Sequence, residues 1–342
     1  MDRILEIGNV AAGFCGRLFV QAGCDVVRVE PAGREPGWVS AAASDLFLHP
    51  GKRRLQTSDP ALITKLASSA DIVVVEAPTA DALEELGFEA WDTGVKVAIT
   101  PFGRTGPKRN WRATSSVLLA MGGYTYIMGD PDREPLTLPG HYVDFQSGQF
   151  AYTIANACRL AREENVIDVS MLEVVMSLSQ FTTVLWHCAG QIRKRHGSDY
   201  WSMVPTNLFA CKDGWVYVNI VPTFWDPFTV FLDRPDLVID ERFSTNNLRM
   251  EHRDPLHEII GEALAAMTMA EVRARATAHR IPVGVVQSFD DVLADPHLLE
   301  REFWQRVNAS GGISIRSPSP AYRIDGADRP EFTLTDPEVG DG

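Results

Sequence analysis

The period of the hydrophobic pattern changes along the chain, and those changes outline the elements. Arg3 to Ile7 and Asp25 to Glu30 read as strands, and Ala11 to Ala22 between them carries Phe14, Leu18 and Phe19 along one helical face. After a Gly/Pro-rich loop, Arg53 to Gln56 reads as a short strand. Asp59 is placed to cap a helix over Pro60 to Ser69, with Pro60 at its first position. Ile72 to Val75 is an unbroken apolar run, the pattern of a parallel strand covered on both faces. A short helix over Asp81 to Leu86 leads to a strand from Val95 to Thr100. This alternation predicts an α/β fold with an open, Rossmann-like sheet.

From Thr114 to Met128 the pattern is helical and apolar, interrupted at Gly122-Gly123. Ser147 to Arg162 predicts a long helix, Val166 to Val169 a strand, and Met171 to Gln191 a second long helix. Basic and polar residues then crowd around Gly197, which reads as a linker over 193–204. A hairpin follows, Asn207 to Cys211 and Trp215 to Ile220, with Asp213-Gly214 in its turn. Helices are expected at Thr223 to Phe231, Pro255 to Met267, Ala270 to His279, Asp290 to Leu293 and Pro296 to Val307, with a strand from Val283 to Gln287. Ile313 to Ile324 reads as strands returning to the first domain, and the chain beyond Asp325 as a poorly ordered polar tail. The expected organisation is a large Rossmann-like domain over 1–192, a smaller α+β domain over 205–310, and a returning segment over 311–342.

Composition narrows the function classes. With 45% hydrophobic and 23% charged residues the chain is ordinary for a globular protein. It shows no membrane-spanning run and no basic-then-apolar leader, so a cytoplasmic location is expected. The five cysteines are scattered and lack a CxxC pair, which argues against a disulfide framework and against zinc. A net charge of −13 argues against general nucleic-acid affinity. It also means that a phosphate-bearing ligand would need a local basic patch. Lys52-Arg53-Arg54, the group Arg104, Lys108, Arg109 and Arg112, and Arg193-Lys194-Arg195 are candidates; each could equally be a solvated face.

Familiar motifs are mostly missing. Gly8 to Gly16 lacks the GxGxxG spacing of a dinucleotide turn, although Glu30 sits where a ribose-binding acid would lie. The small residues there still suggest close approach of something to the first helix. No histidine pair has metal-ligand spacing, and there is neither a GxSxG elbow nor a P-loop. His141 lies three residues before Asp144 and reads as a loop residue. Taken alone, Asp144 reads as an acid that complements the start of a helix.

Longer matches raise its significance. Ala22-Gly23-Cys24-Asp25-Val26-Val27-Arg28-Val29-Glu30-Pro31, Gly51-Lys52-Arg53, Phe102-Gly103-Arg104-Thr105-Gly106-Pro107, Val166 to Glu173, Phe209 to Trp215 and Asp295-Pro296-His297-Leu298 occur in one order along nearly the whole chain. In that order they resemble the class III coenzyme A transferases, a family that includes formyl-CoA and carnitine transferases and the α-methylacyl-CoA racemases. The resemblance implies transfer of CoA from an acyl-CoA to a small carboxylic acid, with CoA as substrate, no metal, and an interlocked homodimer. It aligns Asp144 to Gly148 with the family's Asp-x-x-Ser/Thr-Gly, making Asp144 the nucleophile. Val10, Ala11, Gly13, Arg104 and Arg112 become candidate CoA contacts.

The chain also departs from the family pattern. Racemases carry a histidine in the segment matching Arg112 to Val117, and this chain has none, which disfavours racemisation. Ala77 to Asp81 lacks the usual Asn and base. No shielding Gly-rich loop is evident over Arg193 to Ser202. The loops at Arg34 to Asp45 and Arg162 to Val166 are short. These departures keep a second class in play, a non-catalytic CoA-binding or partner subunit.

Overall fold

The computed structural model describes residues 1–31, 39–325 and 331–339, so most of the Gly/Pro-rich loop and part of the tail lie outside the described residues. The chain divides into two compact units. The first comprises Met1–Thr125, Thr137–Gln191 and Pro296–Gly342; the second comprises Tyr126–Leu136 and Ile192–Asp295.

The first unit begins with β1 (Arg3–Ile7), α1 (Val10–Gln21), β2 (Asp25–Glu30), α2 (Val39–Leu48), β3 (Arg53–Gln56), α3 (Pro60–Ser68), β4 (Ile72–Glu76), α4 (Ala80–Glu85) and β5 (Val95–Thr100). It continues through α5 (Ser115–Met121), the first residues of α6 (Tyr124–Ile127), α7 (Tyr142–Ala161), β6 (Asn165–Ser170), α8 (Met171–Leu178) and α9 (Gln180–Ala189). The sheet is parallel, and Ile4 pairs with both Val26 and Ile72. On one face Ile4, Ile72 and Val97 pack with Ala12, Phe19 and Ala151 from α1 and α7. On the other, Leu5, Val73 and Ala98 pack with Ile63, Leu83 and Phe88. This two-sided burial is why β4 is a continuous apolar run rather than an alternating one.

A row of charges crosses the first of these faces. Glu6, Arg28 and Arg54 are register neighbours on β1, β2 and β3, and all three are buried. Arg28 donates to Glu6 and Glu30, Arg54 to Glu30 and Asp45, and Lys52 to Glu6 and to the Gly13 carbonyl at 2.7 Å. Gly16 makes room, because a Cβ there would collide with the Glu6 carboxylate. Within the Lys52-Arg53-Arg54 patch, Lys52 and Arg54 are therefore neither solvated nor a free phosphate site, and only Arg53 is exposed. Lys52 and Arg54 neutralise buried acids, and Arg53 pairs with Asp25.

The second unit contains β7 (Thr206–Cys211), β8 (Gly214–Asn219), α10 (Trp225–Phe231), α11 (Asn246–Glu251), α12 (Arg253–Ala265), α13 (Met269–His279), β9 (Val283–Val285) and α14 (Phe289–Leu293). The expected hairpin is present; Cys211 pairs with Gly214, so the turn is Lys212-Asp213. Asp213 Oδ1 accepts from the Met269 N–H at 2.7 Å and so ties the turn to α13. The stretch expected as a linker is engaged within this unit: Gly197 bridges Gly129, and Arg195 donates to the carbonyls of Asp130, Tyr126 and Pro131.

The chain returns to the first unit with α15 (Pro296–Glu300), β10 (Trp304–Ala309), β11 (Ile313–Pro318), β12 (Phe332–Leu334) and β13 (Glu338–Val339). β10 pairs with β11 and β12, whereas β13 joins the main sheet beside β3 to give the order β13-β3-β2-β1-β4-β5-β6. Two expectations are corrected here. The helix predicted over Pro296 to Val307 stops early, closed by Glu302 at φ 51°, and its second half is a strand. The tail beyond Asp325 contributes two strands. Two helix expectations also change: 171–191 breaks at Ser179, and α7 starts at Tyr142, five residues before the expected start.

Candidate active site

Because α7 starts early, Asp144 lies inside its first turn rather than ahead of it. One turn later, Gly148 lies directly against α1. A Cβ at Gly148 would come within 2.4 Å of the Ala11 carbonyl oxygen and 3.1 Å of the Cys15 nitrogen. Residues four apart share a helix face, so this contact brings Asp144 toward the beginning of α1. The glycine of Asp-x-x-Ser-Gly is thus a packing requirement that sets where the acid stands.

The Asp144 carboxylate is largely buried, with its side chain 14% exposed. Its Oδ2 accepts a hydrogen bond from the Ser115 hydroxyl, and His141 Nδ1 lies 3.3 Å from the same oxygen. Among the described residues Oδ1 has no hydrogen-bond partner. Ser115 opens α5, and the Phe102–Pro107 loop that precedes it in the chain is tied to β6. Gly103 supplies a φ of 82°, and the Arg104 N–H donates to both Asp168 oxygens at 3.0 and 3.2 Å.

Glu76, at the end of β4, completes the floor. It accepts from the N–H groups of Asn9 (3.1 Å) and Ala12 (3.0 Å) and so caps α1, whose own Asn9 makes no side-chain cap bond. Burial pushes the Glu76 carboxyl up to about 7; the backbone N–H groups oppose the rise and the charge of Asp144 adds to it. Gly8, at φ 139°, is demanded by the same approach, since a Cβ there would lie 2.6 Å from the Glu76 Cβ. The partners that the small residues around α1 anticipate are therefore Glu76 and Gly148. The α1 amides that would cradle a pyrophosphate are already occupied. All these groups gather where β1 continues to β2 on one side and has β4 on the other, the switch point where open α/β sheets bind ligands.

The expected CoA contacts separate into two groups. Val10 is half-buried and Arg112 is exposed, whereas Ala11 and Gly13 are buried in helix packing. Arg104 pairs with Glu89 and lies 5.5 Å over the Phe88 ring. Arg109 is bound by Asp81 and Glu84. Sequence reasoning passed over Ser115 and Glu76 and treated His141 as a plain loop residue. The available signals were a hydroxyl in the segment where racemases have histidine and an acid ending an apolar strand. Beside the acid, the half-buried Phe14 and Phe145 rings meet at 5.0 Å, and Phe145 meets Phe47 at 5.8 Å and His141 at 6.1 Å.

Among the described residues no group of His, Cys, Asp and Glu could hold a metal ion, and no helix is long and apolar enough to cross a membrane. The chain is 29% identical over 326 residues to succinyl-CoA--D-citramalate CoA-transferase of Chloroflexus aurantiacus, covering 88% of this chain and 81% of that protein. It is 26% identical over 356 residues to the succinyl-CoA--L-malate CoA-transferase alpha subunit of Chloroflexus aurantiacus, covering 94% and 82%. A CAIB/BAIF family protein from Brucella suis shares the fold, with a TM-score of 0.82 at 22% identity over 96% of this chain and 93% of that one. Residues 2–341 match CoA-transferase family III, and the chain belongs to that family of enzymes.

Proposed function

We propose that this chain transfers CoA from an acyl-CoA thioester to a carboxylic acid through covalent intermediates on Asp144. The observation that carries the reading is the Asp144 carboxylate itself, held on one oxygen and unengaged on the other at the switch point of the sheet. Oδ1 attacks the thioester carbonyl and CoA leaves as its thiolate, producing a mixed anhydride. The thiolate then attacks Cγ of Asp144, releasing the donor acid and leaving an aspartyl-CoA thioester. The acceptor carboxylate reverses these steps and takes CoA away. No net proton transfer is required. Water must be kept from both activated intermediates, and the Phe14–Phe47–Phe145 group beside the acid suits that task.

The nucleotide of CoA fits a cleft of about 470 Å³ lined by Ile7, Gly8, Asn9, Val29, Thr57 and Ser58 at the carboxyl ends of β1, β2 and β3. Val10 borders it in sequence, and Arg112 is the exposed cation nearest in sequence to Ser115. Racemisation is poorly served, because His141 and Ser115 act on the same oxygen of Asp144 rather than offering a second base across a substrate. The test is incubation with succinyl-CoA, hydroxylamine trapping and peptide mass mapping. Modification of Asp144, and loss of transfer in Asp144→Ala, are expected. An unmodified Asp144 together with a fully active variant would reject the mechanism.

A relative named as an alpha subunit keeps a partner-subunit role as a second reading. Asp144-dependent turnover by the purified chain alone would remove it. Phe150 and Ile154 on α7, with Phe181, Val184 and Trp186 on α9, are large exposed apolar side chains and support self-association as a homodimer.

A further inference from the structure

We infer that Ser115 and His141 are catalytic residues that together form the oxyanion site for reactions at Cγ of Asp144. The inference rests on Asp144 being the nucleophile and follows from which of its oxygens is held. An ionised carboxylate only accepts hydrogen bonds, so the Ser115 hydroxyl and the His141 Nδ1–H both donate to Oδ2. The oxygen that attacks the thioester is then Oδ1. Once Oδ1 is acylated, Oδ2 is the carbonyl oxygen of the aspartyl half of the anhydride, and the same two donors already point at it.

The next step is the one they serve. The CoA thiolate adds to Cγ, a C–S bond forms, and the π pair of Cγ=Oδ2 moves onto Oδ2. The resulting oxyanion lies against two donors that need not move. Collapse restores Cγ=Oδ2 and breaks the Cγ–Oδ1 bond, and the donor acid leaves with that electron pair as its carboxylate. The acceptor carboxylate later attacks the same Cγ and is served in the same way. Donors aimed in advance at a developing charge are worth more than donors that must be recruited, and removing one from an oxyanion site typically costs about 10²–10³ in rate. The residues reach the site from two places. Ser115 opens α5, His141 precedes α7, and Asp144 lies within its first turn. The Ser115 contact therefore does not follow from one helix capping itself, whereas the His141 contact spans the first turn of α7.

The experiment is a rapid-quench single turnover of the full-length protein with succinyl-CoA, following by mass the CoA adduct on the Asp144 peptide. In Ser115→Ala and His141→Ala the adduct is expected to form about 10²–10³ times more slowly. Ser115→Thr, which keeps the hydroxyl, is expected to retain a rate near wild type. The calorimetric Kd for CoA should be unchanged in all three variants, which a merely structural role would not preserve alongside the rate loss. If wild-type protein forms the adduct and both alanine variants form it equally fast, the oxyanion assignment is overturned while Asp144 stands. If Ser115→Thr is as slow as Ser115→Ala, the hydroxyl is not the active feature and the assignment is likewise overturned. If wild-type protein itself forms no adduct on Asp144, the functional reading fails and this inference falls with it.

Discussion

Glu76 and Gly148 govern the site without touching a substrate. Glu76 holds the first turn of α1, and its carboxyl, pushed from an ordinary 4.5 up to about 7, is the acid here whose folded and unfolded states differ most clearly. An acid with a raised folded pKa keeps its proton longer in the native state. Its contribution to stability therefore falls as pH rises from about 4.5 through about 7. Glu76→Gln can still accept from Asn9 and Ala12 and carries no charge. Denaturant titrations should show this variant gaining stability relative to wild type between pH 5 and pH 8; an unchanged difference would mean that Glu76 does not titrate there. Gly148→Ala should destabilise the protein by about 1–3 kcal/mol through overpacking against Ala11, and transfer should fall with it. The two arginines should separate: Arg112→Ala should raise the Kd for CoA, whereas Arg104→Ala, which loses a contact with Glu89, should leave it nearly unchanged.

The βα units of the first half are legible because each carries its own signals: the unbroken apolar run of β4, the Asp59 cap and Pro60 at the start of α3, and the period-3.6 face of α1. The misread elements are those whose partners lie far away in sequence. β10 resembles a helix continuation until its pairing with β11 and β12 is known, and β13 is two residues that form a strand only because β3 has an open edge. Gly51, at φ 80°, lies against Phe332 of β12, so the tail also packs on the turn that presents Lys52. Deleting residues 331–342 should uncover the β3 edge and lower the thermal midpoint by several degrees, about 2–4 °C for each kcal/mol lost. An unchanged midpoint in calorimetry would show that β12 and β13 add little.

For the molecule as a whole, charge and exposed apolar surface pull in different directions. A net charge of −13 disfavours a polyanionic ligand, and two of the three basic patches that could offset it are committed: Lys52 and Arg54 to buried acids, Arg195 to carbonyls of its own unit. That leaves Arg112 as the exposed cation of the sequence-predicted contacts. The apolar side chains exposed on α7 and α9 lead to a specific expectation. Light scattering should give twice the chain mass, and the double change Phe150→Glu with Ile154→Glu should shift it toward one chain. A wild-type monomer would contradict the dimer reading.

Local chemistry was enough to read the α/β class, the parallel sheet and the hairpin, because apolar period, caps and turn residues act over a few positions; the proposal of Asp144 as nucleophile came from the resemblance. Where Asp144 stands and what holds it depended on the folded chain. Ser115 lies 29 residues before it and Glu76 68 before it, counted along the chain, and no local pattern joins them. Packing of Gly148 on α1 and capping of α1 by Glu76 bring them together, and such contacts exist only once the sheet has ordered its strands. The same holds for the basic turn at Lys52: its composition suggested a phosphate, and only the register of β1, β2 and β3 showed that its charges face buried acids.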